Sequence, residues 1–394
     1  MRQHRLPAVF MRGGTSKAVM FHARDLPADR SLWPEIFVAA LGADDPNGRQ
    51  LDGMGGGISS LSKVCVIGPP SRPDADVDYT FAQLSPKTAD VDFSANCGNM
   101  SGAVGPFAVD EGLVAAGGDE ATVRIHNTNT GKIIVSRFAM DGGRAAVDGD
   151  YALPGVAGTA APVRLEFLEL GGARTGKLLP TGNPLDRLHL PDGGAIEASF
   201  VDAANPCVFV RAEDVGVDGT EMPDVLDGAT DLLARLEAIR RAASVAMGLA
   251  PDLDAAAAVA SVPKVAFVTE PRNAPTLGGE ALAASDCDVT VRMISVGQPH
   301  RAVPLTGAMC LAIASRIDGT IPAEVTTSRE SEECRIAQPS GLTLVGANVT
   351  RAADGWYAEN AVVTRTQRRL MDGFVYVSAR RTPGLARRPA AAAE

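Results

Sequence analysis

Two short segments carry residues able to move a proton: Ser59-Ser60-Leu61-Ser62-Lys63 and Asn96-Cys97-Gly98-Asn99-Met100-Ser101-Gly102. Their lysine and cysteine, 34 positions apart, would offer one ligand a base and an acid. Cys97 stands at a glycine-bearing turn where an apolar, helix-compatible run begins. A thiol there meets unpaired backbone N–H groups and the positive end of the helix dipole, which favour thiolate. The same N–H groups would hold a carboxylate. Gly98 lets the chain turn and a ligand approach closely, and Asn99 can satisfy a helix-start donor or reach that ligand. Lys63 opens the β-prone run Val64-Cys65-Val66-Ile67, closed by Gly68-Pro69-Pro70, with no other charge between Asp52 and Arg72. Desolvation disfavours an ammonium ion and would make Lys63 a general base near neutral pH; the simpler alternative is a solvated lysine before a strand. The remaining cysteines, Cys65, Cys207, Cys287, Cys310 and Cys334, read as small buried hydrophobes.

Strands dominate the elements that would position these groups. Short β-rich runs bounded by Gly, Pro, Asp and Asn fall at 8–11, 18–21, 64–67, 77–84, 121–125, 133–138 and 163–168. They recur at 207–210, 265–268, 289–294, 342–349, 356–364 and 373–377. Such density predicts sheets curled into barrels rather than βαβ alternation. Amphipathic helices are expected at 32–41 and 229–247, and two more apolar, buried ones at 100–111 and 308–316. The last two follow similar polar, glycine-bearing turns, Asn96-Cys97-Gly98-Asn99 and Pro304-Leu305-Thr306-Gly307, about 210 residues apart, which suggests a duplicated architecture with one central helix per half. The expected division is 1–165, 166–378 and a disordered Arg/Pro/Ala-rich tail at 379–394.

The chain has 394 residues, 45% of them hydrophobic, enough for two cores. A net charge of −10, with no basic stripe interleaved with aromatics, argues against nucleic acid as a partner. Six cysteines without short paired spacings indicate free thiols in a reducing compartment, and the five histidines are too dispersed for a metal cluster. Arg12 interrupts the early apolar run, and no apolar stretch reaches membrane-spanning length, so the expected location is the cytoplasm.

Five motifs in order then resemble one family: Met11-Arg12-Gly13-Gly14-Thr15-Ser16-Lys17, Asp52-Gly53-Met54-Gly55-Gly56, Ser62-Lys63, Asn96-Cys97-Gly98-Asn99 and Pro180-Thr181-Gly182-Asn183. From about residue 6 to residue 377 the chain is similar to the PrpF family, which contains 2-methylaconitate cis–trans isomerase, methylitaconate isomerase and 4-oxalomesaconate isomerases and shares the diaminopimelate epimerase fold. The resemblance implies an α+β fold of two β-barrel-like domains, each around a central helix, with the active site in the interdomain cleft. It implies no metal, flavin or pyridoxal cofactor, and a small anionic polycarboxylate as the substrate. A homodimer is left open.

The family's lysine and cysteine fall on Lys63 and Cys97. Epimerases of this fold use a cysteine in each half. Here the second position falls near Pro304, so Cys310 reads as a helix-buried thiol and amino-acid racemisation is disfavoured. Lys63 would remove an allylic proton and Cys97 return one at the other carbon. A substrate carboxylate would lodge on Gly98, Asn99 and Met100, with a matching site at Thr306, Gly307 and Ala308. Thr15, Ser16, Lys17 and Ser62 are further binding candidates, as are Asn205, which resembles the epimerase Asn-Pro loop, His300, and Arg301 as a bidentate carboxylate ligand. Two other classes compete: a thiol redox protein centred on Cys97, and a carboxylate-binding protein without catalysis.

Overall fold

The computed structural model describes residues 3–93, 96–295, 297–353 and 355–386. The chain divides into two compact units, one formed by 1–165 with 364–394 and the other by 166–363.

In the first unit, β1 (Gln3–Gly13) and β2 (Ser16–His22) form an antiparallel hairpin closed at Gly13 and Ser16. Gly14 turns it with φ +52°, a conformation glycine adopts without strain. A crossover containing α1 (Trp33–Leu41) leads to β3 (Lys63–Gly68), which lies parallel to β2 with Lys63 opposite Ala18. All six residues of β3 are buried, as its unbroken Val-Cys-Val-Ile run requires of a strand covered on both faces. β4 (Val77–Leu84) returns antiparallel, setting Gln83 opposite Lys63, and carries the short β5 (Val91–Asp92) beside its end.

Next comes α2 (Gly98–Asp110), then β6 (Glu120–Asn127) parallel to β4, and β7 (Lys132–Asp141) antiparallel to β6. Eleven of the 13 residues of α2 are buried, so it is a central helix; it packs against β1, β2, β3, β6 and β7. Small residues permit this approach: a Cβ on Gly105 would lie 2.6 Å from Ser136 Oγ, and one on Gly13 would lie 2.7 Å from the Asn99 carbonyl oxygen. A separate core fills the space around α1, where Ile36, Phe37 and Leu41 meet Phe21, Val64 and Val66.

The second unit repeats the scheme. Strand Ala195–Ala203 turns through the single residue Ala204, at φ +60°, into Asn205–Arg211. Helices α3 (Pro223–Gly228), α4 (Thr230–Ala246) and α5 (Leu253–Ala258) fill the crossover to Lys264–Thr269, which runs parallel to Asn205–Arg211. Val289–Ser295 is antiparallel to it, Glu333–Gln338 parallel to that, and Gly341–Ala352 antiparallel again. The central helix is α6 (Leu305–Ala314), with nine of ten residues buried.

Sequence reading and structure part near the C-terminus. The runs at 356–364 and 373–377 belong to one strand, Gly355–Ser378. Its second half pairs with β1 from Gly13 opposite Gln367 to Gln3 opposite Ser378, so 364–378 lies in the first unit and not in a domain ending at 378. Polar residues such as Arg365, Thr366 and Gln367 interrupt the hydrophobic pattern without interrupting the ladder. The expected tail is also corrected over 379–386: Thr382 is buried, Arg381 donates to the Ala43 carbonyl at 2.6 Å, and a short helix, Pro383–Ala386, brings Leu385 onto the α1 core. Residues 387–394 lie outside the described residues. Among the described residues no helix is long and apolar enough to cross a membrane.

Candidate active site

Lys63, Cys97, Thr15, Ser16, Lys17, Ser62, Gly98, Asn99 and Met100 all belong to the first unit. Lys63 is buried at the first position of β3, with its ammonium nitrogen 5.3 Å from the centre of the Phe81 ring. Lys63 Nζ donates to Gln83 Oε1. That amide has a fixed sense: Gln83 Nε2 donates to the carbonyls of Ser59, Ser62 and Leu84 at 3.0–3.1 Å, so its oxygen must face the lysine. The antiparallel register that opposes residues 63 and 83 builds this contact, and nothing local to Lys63 announces it.

Cys97 is the N-cap of α2, half-buried and in extended conformation, and no side chain caps the helix there. The Cys97 carbonyl accepts the Ser101 N–H at 2.9 Å, which leaves the N–H groups of Gly98, Asn99 and Met100 as the first-turn donors. The turn is pinned from β6, where the wholly buried Asn127 donates to Asn96 Oδ1 at 3.2 Å.

Lys63 and Cys97 act on one neighbour, Cys65, buried two residues along β3. Burial pushes its thiol up, the negative charge available to Cys97 pushes it further, and the Tyr79 hydroxyl and the Lys63 charge pull the other way. Both groups therefore lie within electrostatic reach of the same sulfur. Tyr79, 3.8 Å from Cys65 Sγ, is likewise raised by burial and by Cys65 and Cys97.

Asn99 holds the first turn of α2 to the β1–β2 turn. Its Nδ2 donates to Thr15 Oγ1 at 3.1 Å, and its Oδ1 accepts from Arg365 Nε at 3.1 Å. Gly14 is required here, because a Cβ would sit 2.3 Å from Asn99 Oδ1. Sequence reasoning missed Arg365. It is a buried guanidinium lowered to about 10 by desolvation, with Tyr151 and Cys97 pulling it back up. The one signal for it was an arginine ending the apolar run Ala361-Val362-Val363.

Ser62 is a correction: its wholly buried hydroxyl faces Gln50 Oε1 at 2.6 Å and the Ile58 carbonyl at 2.8 Å, so it anchors the 50–62 loop instead of facing a ligand. Gln50, also missed, takes the Gly57 N–H at 2.9 Å as well. Ser16 is buried at the hairpin end, Lys17 places its ammonium nitrogen 5.6 Å from the centre of the Phe10 ring, and Thr15 is exposed apart from its bond to Asn99.

Asn205, His300, Arg301, Thr306, Gly307 and Ala308 belong to the second unit. Asn205 folds back, Nδ2 donating to the Pro206 carbonyl at 3.0 Å. His300 is tied through its backbone N–H to the Met293 carbonyl, and its Nε2 is buried without a partner. Burial, then the charge of Lys264, pushes this imidazole down to about 4. Thr306 is half-buried in the first turn of α6, and Gly307 and Ala308 are buried, with Gly307 admitting the Met293 sulfur.

Arg301 is a second correction. Its guanidinium is exposed and engaged by exposed Asp224 at 2.7 Å, a surface ion pair instead of a carboxylate fork awaiting a ligand. At the start of α6 stands Pro304, so that helix presents no thiol there. Cys310 is wholly buried within the helix, donating to the Val201 carbonyl at 3.4 Å, and burial raises it well above an ordinary thiol.

Thus the first unit holds one thiol at a helix start, one buried lysine and first-turn donors, within a sheet-dominated α+β fold of two similar halves. A hydroxyproline epimerase of Agrobacterium vitis shares this fold with a TM-score of 0.50 at 14% identity, over 94% of this chain and 92% of that one. The PrpF family model, described as PrpF protein, matches residues 3–378, and the chain belongs to the PrpF family. It is 43% identical to 3-methylitaconate isomerase of Eubacterium barkeri over 95% of this chain and 98% of that protein. It is 38% identical to 2-methyl-aconitate isomerase of Cupriavidus necator, again over 95% and 98%. The crystal structure of a methylitaconate-delta-isomerase superimposes with a TM-score of 0.87 at 40% identity, covering both chains fully. Like these relatives, the chain is an isomerase.

Proposed function

We propose that the enzyme moves or rotates a C=C bond in a small unsaturated di- or tricarboxylate, with 2-methylaconitate, methylitaconate and aconitate as the first substrates to test. The observation that supports the catalytic assignment is geometric: a buried lysine opens β3 and a half-buried thiol caps α2, the helix packed against that strand in the same unit. In this reading the cycle starts from the neutral Lys63 amine and the protonated Cys97 thiol: Lys63 Nζ takes the proton from the carbon next to the double bond, becoming ammonium, and the electron pair left behind spreads into the adjacent carboxylate as a dienolate. First-turn N–H groups of α2 stabilise that charge as it forms. Cys97 then delivers its S–H proton to the other end of the delocalised system, shifting the double bond. Alternatively, rotation precedes reprotonation and the geometry inverts. Transfer of the proton from Lys63 to the Cys97 thiolate restores both groups, so atoms and charge balance without a co-reactant.

Gln83 and Asn99 are positioning residues in this scheme: the first aims the lysine, and the second locks the helix start to Thr15 and Arg365. Oxalomesaconate undergoes the same allylic chemistry and is an alternative substrate. Cytoplasmic residence is the proposed location, in keeping with six free cysteines.

The test is an absorbance assay of each substrate with wild type, Lys63→Ala and Cys97→Ala, alongside deuterium uptake from heavy water. Each substitution should lower kcat by about 10²–10⁴-fold with circular dichroism unchanged. Full turnover by both variants would overturn the assignment.

A further inference from the structure

The turn joining β6 to β7 reads Asn127-Thr128-Asn129-Thr130-Gly131, and its two asparagines are used differently. Asn127 secures the turn: its Oδ1 accepts the Thr130 N–H at 3.0 Å and the Thr130 hydroxyl at 2.9 Å, and its carbonyl accepts the Gly131 N–H at 2.8 Å. The Asn129 side chain reaches outside the turn instead. Its Oδ1 accepts the Phe81 N–H at 2.8 Å, and its Nδ2 donates to the Phe81 carbonyl at 2.8 Å and to the Phe93 carbonyl at 2.7 Å. None of these three bonds holds the turn together, so turn formation does not explain why an amide stands at 129.

The two backbones joined by Asn129 are those that serve the proposed base and acid. Phe81 lies on β4, its ring 5.3 Å from the Lys63 ammonium nitrogen, and two residues further on Gln83 accepts from that nitrogen. Phe93 follows β5, which ends at Asp92 opposite Gln83, and stands four residues before Cys97. Past that pairing the Asn129 amide does what a ladder would do, taking both polar groups of Phe81 and the carbonyl of Phe93 on one planar group. Asn127 grips the same lead-in three residues later, at Asn96 Oδ1, which also accepts the Ser101 hydroxyl at 3.4 Å from the first turn of α2. All of these residues belong to the first unit.

We propose that Asn129 is a positioning residue of this isomerase, a cross-brace that fixes the Cys97 turn relative to the strand holding the Lys63 contacts. This rests on the acid–base reading above. Misplacing a reacting group by about 1 Å costs about 10²-fold in rate. Loss of the brace shifts the thiol and leaves the base in place, because Lys63 keeps its own bond to Gln83. Proton removal then continues while proton return at the other carbon slows. The dienolate takes a proton back from the Lys63 ammonium at the carbon it came from, and the substrate is re-formed with a hydrogen exchanged from solvent.

The probe is whichever of methylitaconate and 2-methylaconitate the wild type turns over, incubated in heavy water, with deuterium in recovered substrate and product formation followed together by NMR. Asn129→Ala should lower kcat for isomerisation by about 10–100-fold, keep KM within about twofold, and raise the ratio of substrate deuteration to isomerisation about tenfold. Asn129→Ser, too short to span both backbones, should show the same shift and serves where the alanine variant does not fold. Thr128→Val removes the 2.6 Å bond between the Thr128 and Thr80 hydroxyls from the same turn, and should lower the melting temperature with kcat and the ratio unchanged. A ratio within twofold of wild type in the Asn129 variants overturns the brace. So does an equal rise in Thr128→Val, which marks turn stability as the cause. Full isomerisation by Cys97→Ala overturns the acid assignment and the brace with it, so failure of that reading shows in the cysteine variant and failure of the brace alone in the Asn129 variants.

Discussion

The two units share a pairing scheme and differ where chemistry enters. The first starts its central helix at Cys97 and turns its hairpin at Gly14. The second starts its helix at Pro304 and turns at Ala204. Each opens its third strand with a lysine, but Lys63 has Gln83 held opposite it by register, whereas Lys264 lies parallel to the wholly buried Cys207. The difference teaches that duplication supplies the places, namely a helix start, a strand start and a tight turn. The residue type at each place then divides the labour. In the proposed chemistry the thiol at the first helix start serves proton return at one carbon.

Substitutions at matched places can break this comparison. The largest effect is expected from moving the thiol: Cys97→Ala combined with Pro304→Cys should remain down by about 10²–10⁴-fold in kcat, because the base and the turn that serve the thiol stay behind in the first unit. Restored turnover in that double variant would show the helix starts to be interchangeable.

Acid titration should single out His300. Its native pKa lies below the ordinary value, so the unfolded chain binds the proton more readily. The stability associated with this residue is complete above about pH 6.5 and is lost as pH falls through about 4. The expected loss is about 2–3 kcal/mol at most, read from urea midpoints between pH 7 and 4, and His300→Asn should flatten that slope.

The two turns offer a pair of opposite sign. Gly14→Ala places a Cβ against Asn99 Oδ1 at positive φ and should cost about 1–3 kcal/mol, with KM rising as Asn99 is displaced. Ala204→Gly relieves a left-handed alanine and should stabilise by up to about 1 kcal/mol. Chemical denaturation of both variants measures the contrast. Smallest of all, Arg301→Ala should change stability by less than about 1 kcal/mol, since both members of its ion pair with Asp224 are exposed.

Legibility followed sequence distance. Lys63 and Cys97 stood out because their immediate neighbours were unusual, a strand start without other charge and a glycine-rich helix start. The buried character of α2 and α6 could be read from apolar runs without a polar face. Gln83 could not be read, because its role exists only through pairing 20 positions away, and Arg365 bonds Asn99 across 266. Ser62 was misjudged as a binder from its place beside Lys63. Ser62 ends the turn at 59–61 just before β3, and its hydroxyl is taken up by Gln50 and the Ile58 carbonyl, partners 12 and 4 positions away that its place beside Lys63 does not reveal. Arg301 was misjudged for the same kind of reason, as order along the chain said nothing of the carboxylate waiting on α3.

The amino-acid sequence alone determined the inventory: which stretches pair as strands, which two helices are buried, where a thiol meets a helix start, and which family the motifs resemble. These are local properties of backbone preference and hydrophobic spacing. Tertiary structure decided which of the polar residues face one another, that one long strand belongs to both units, and that a second lysine shares the address of the first. Such relations arise from register and burial, which couple residues far apart in the chain through a few ångströms of space.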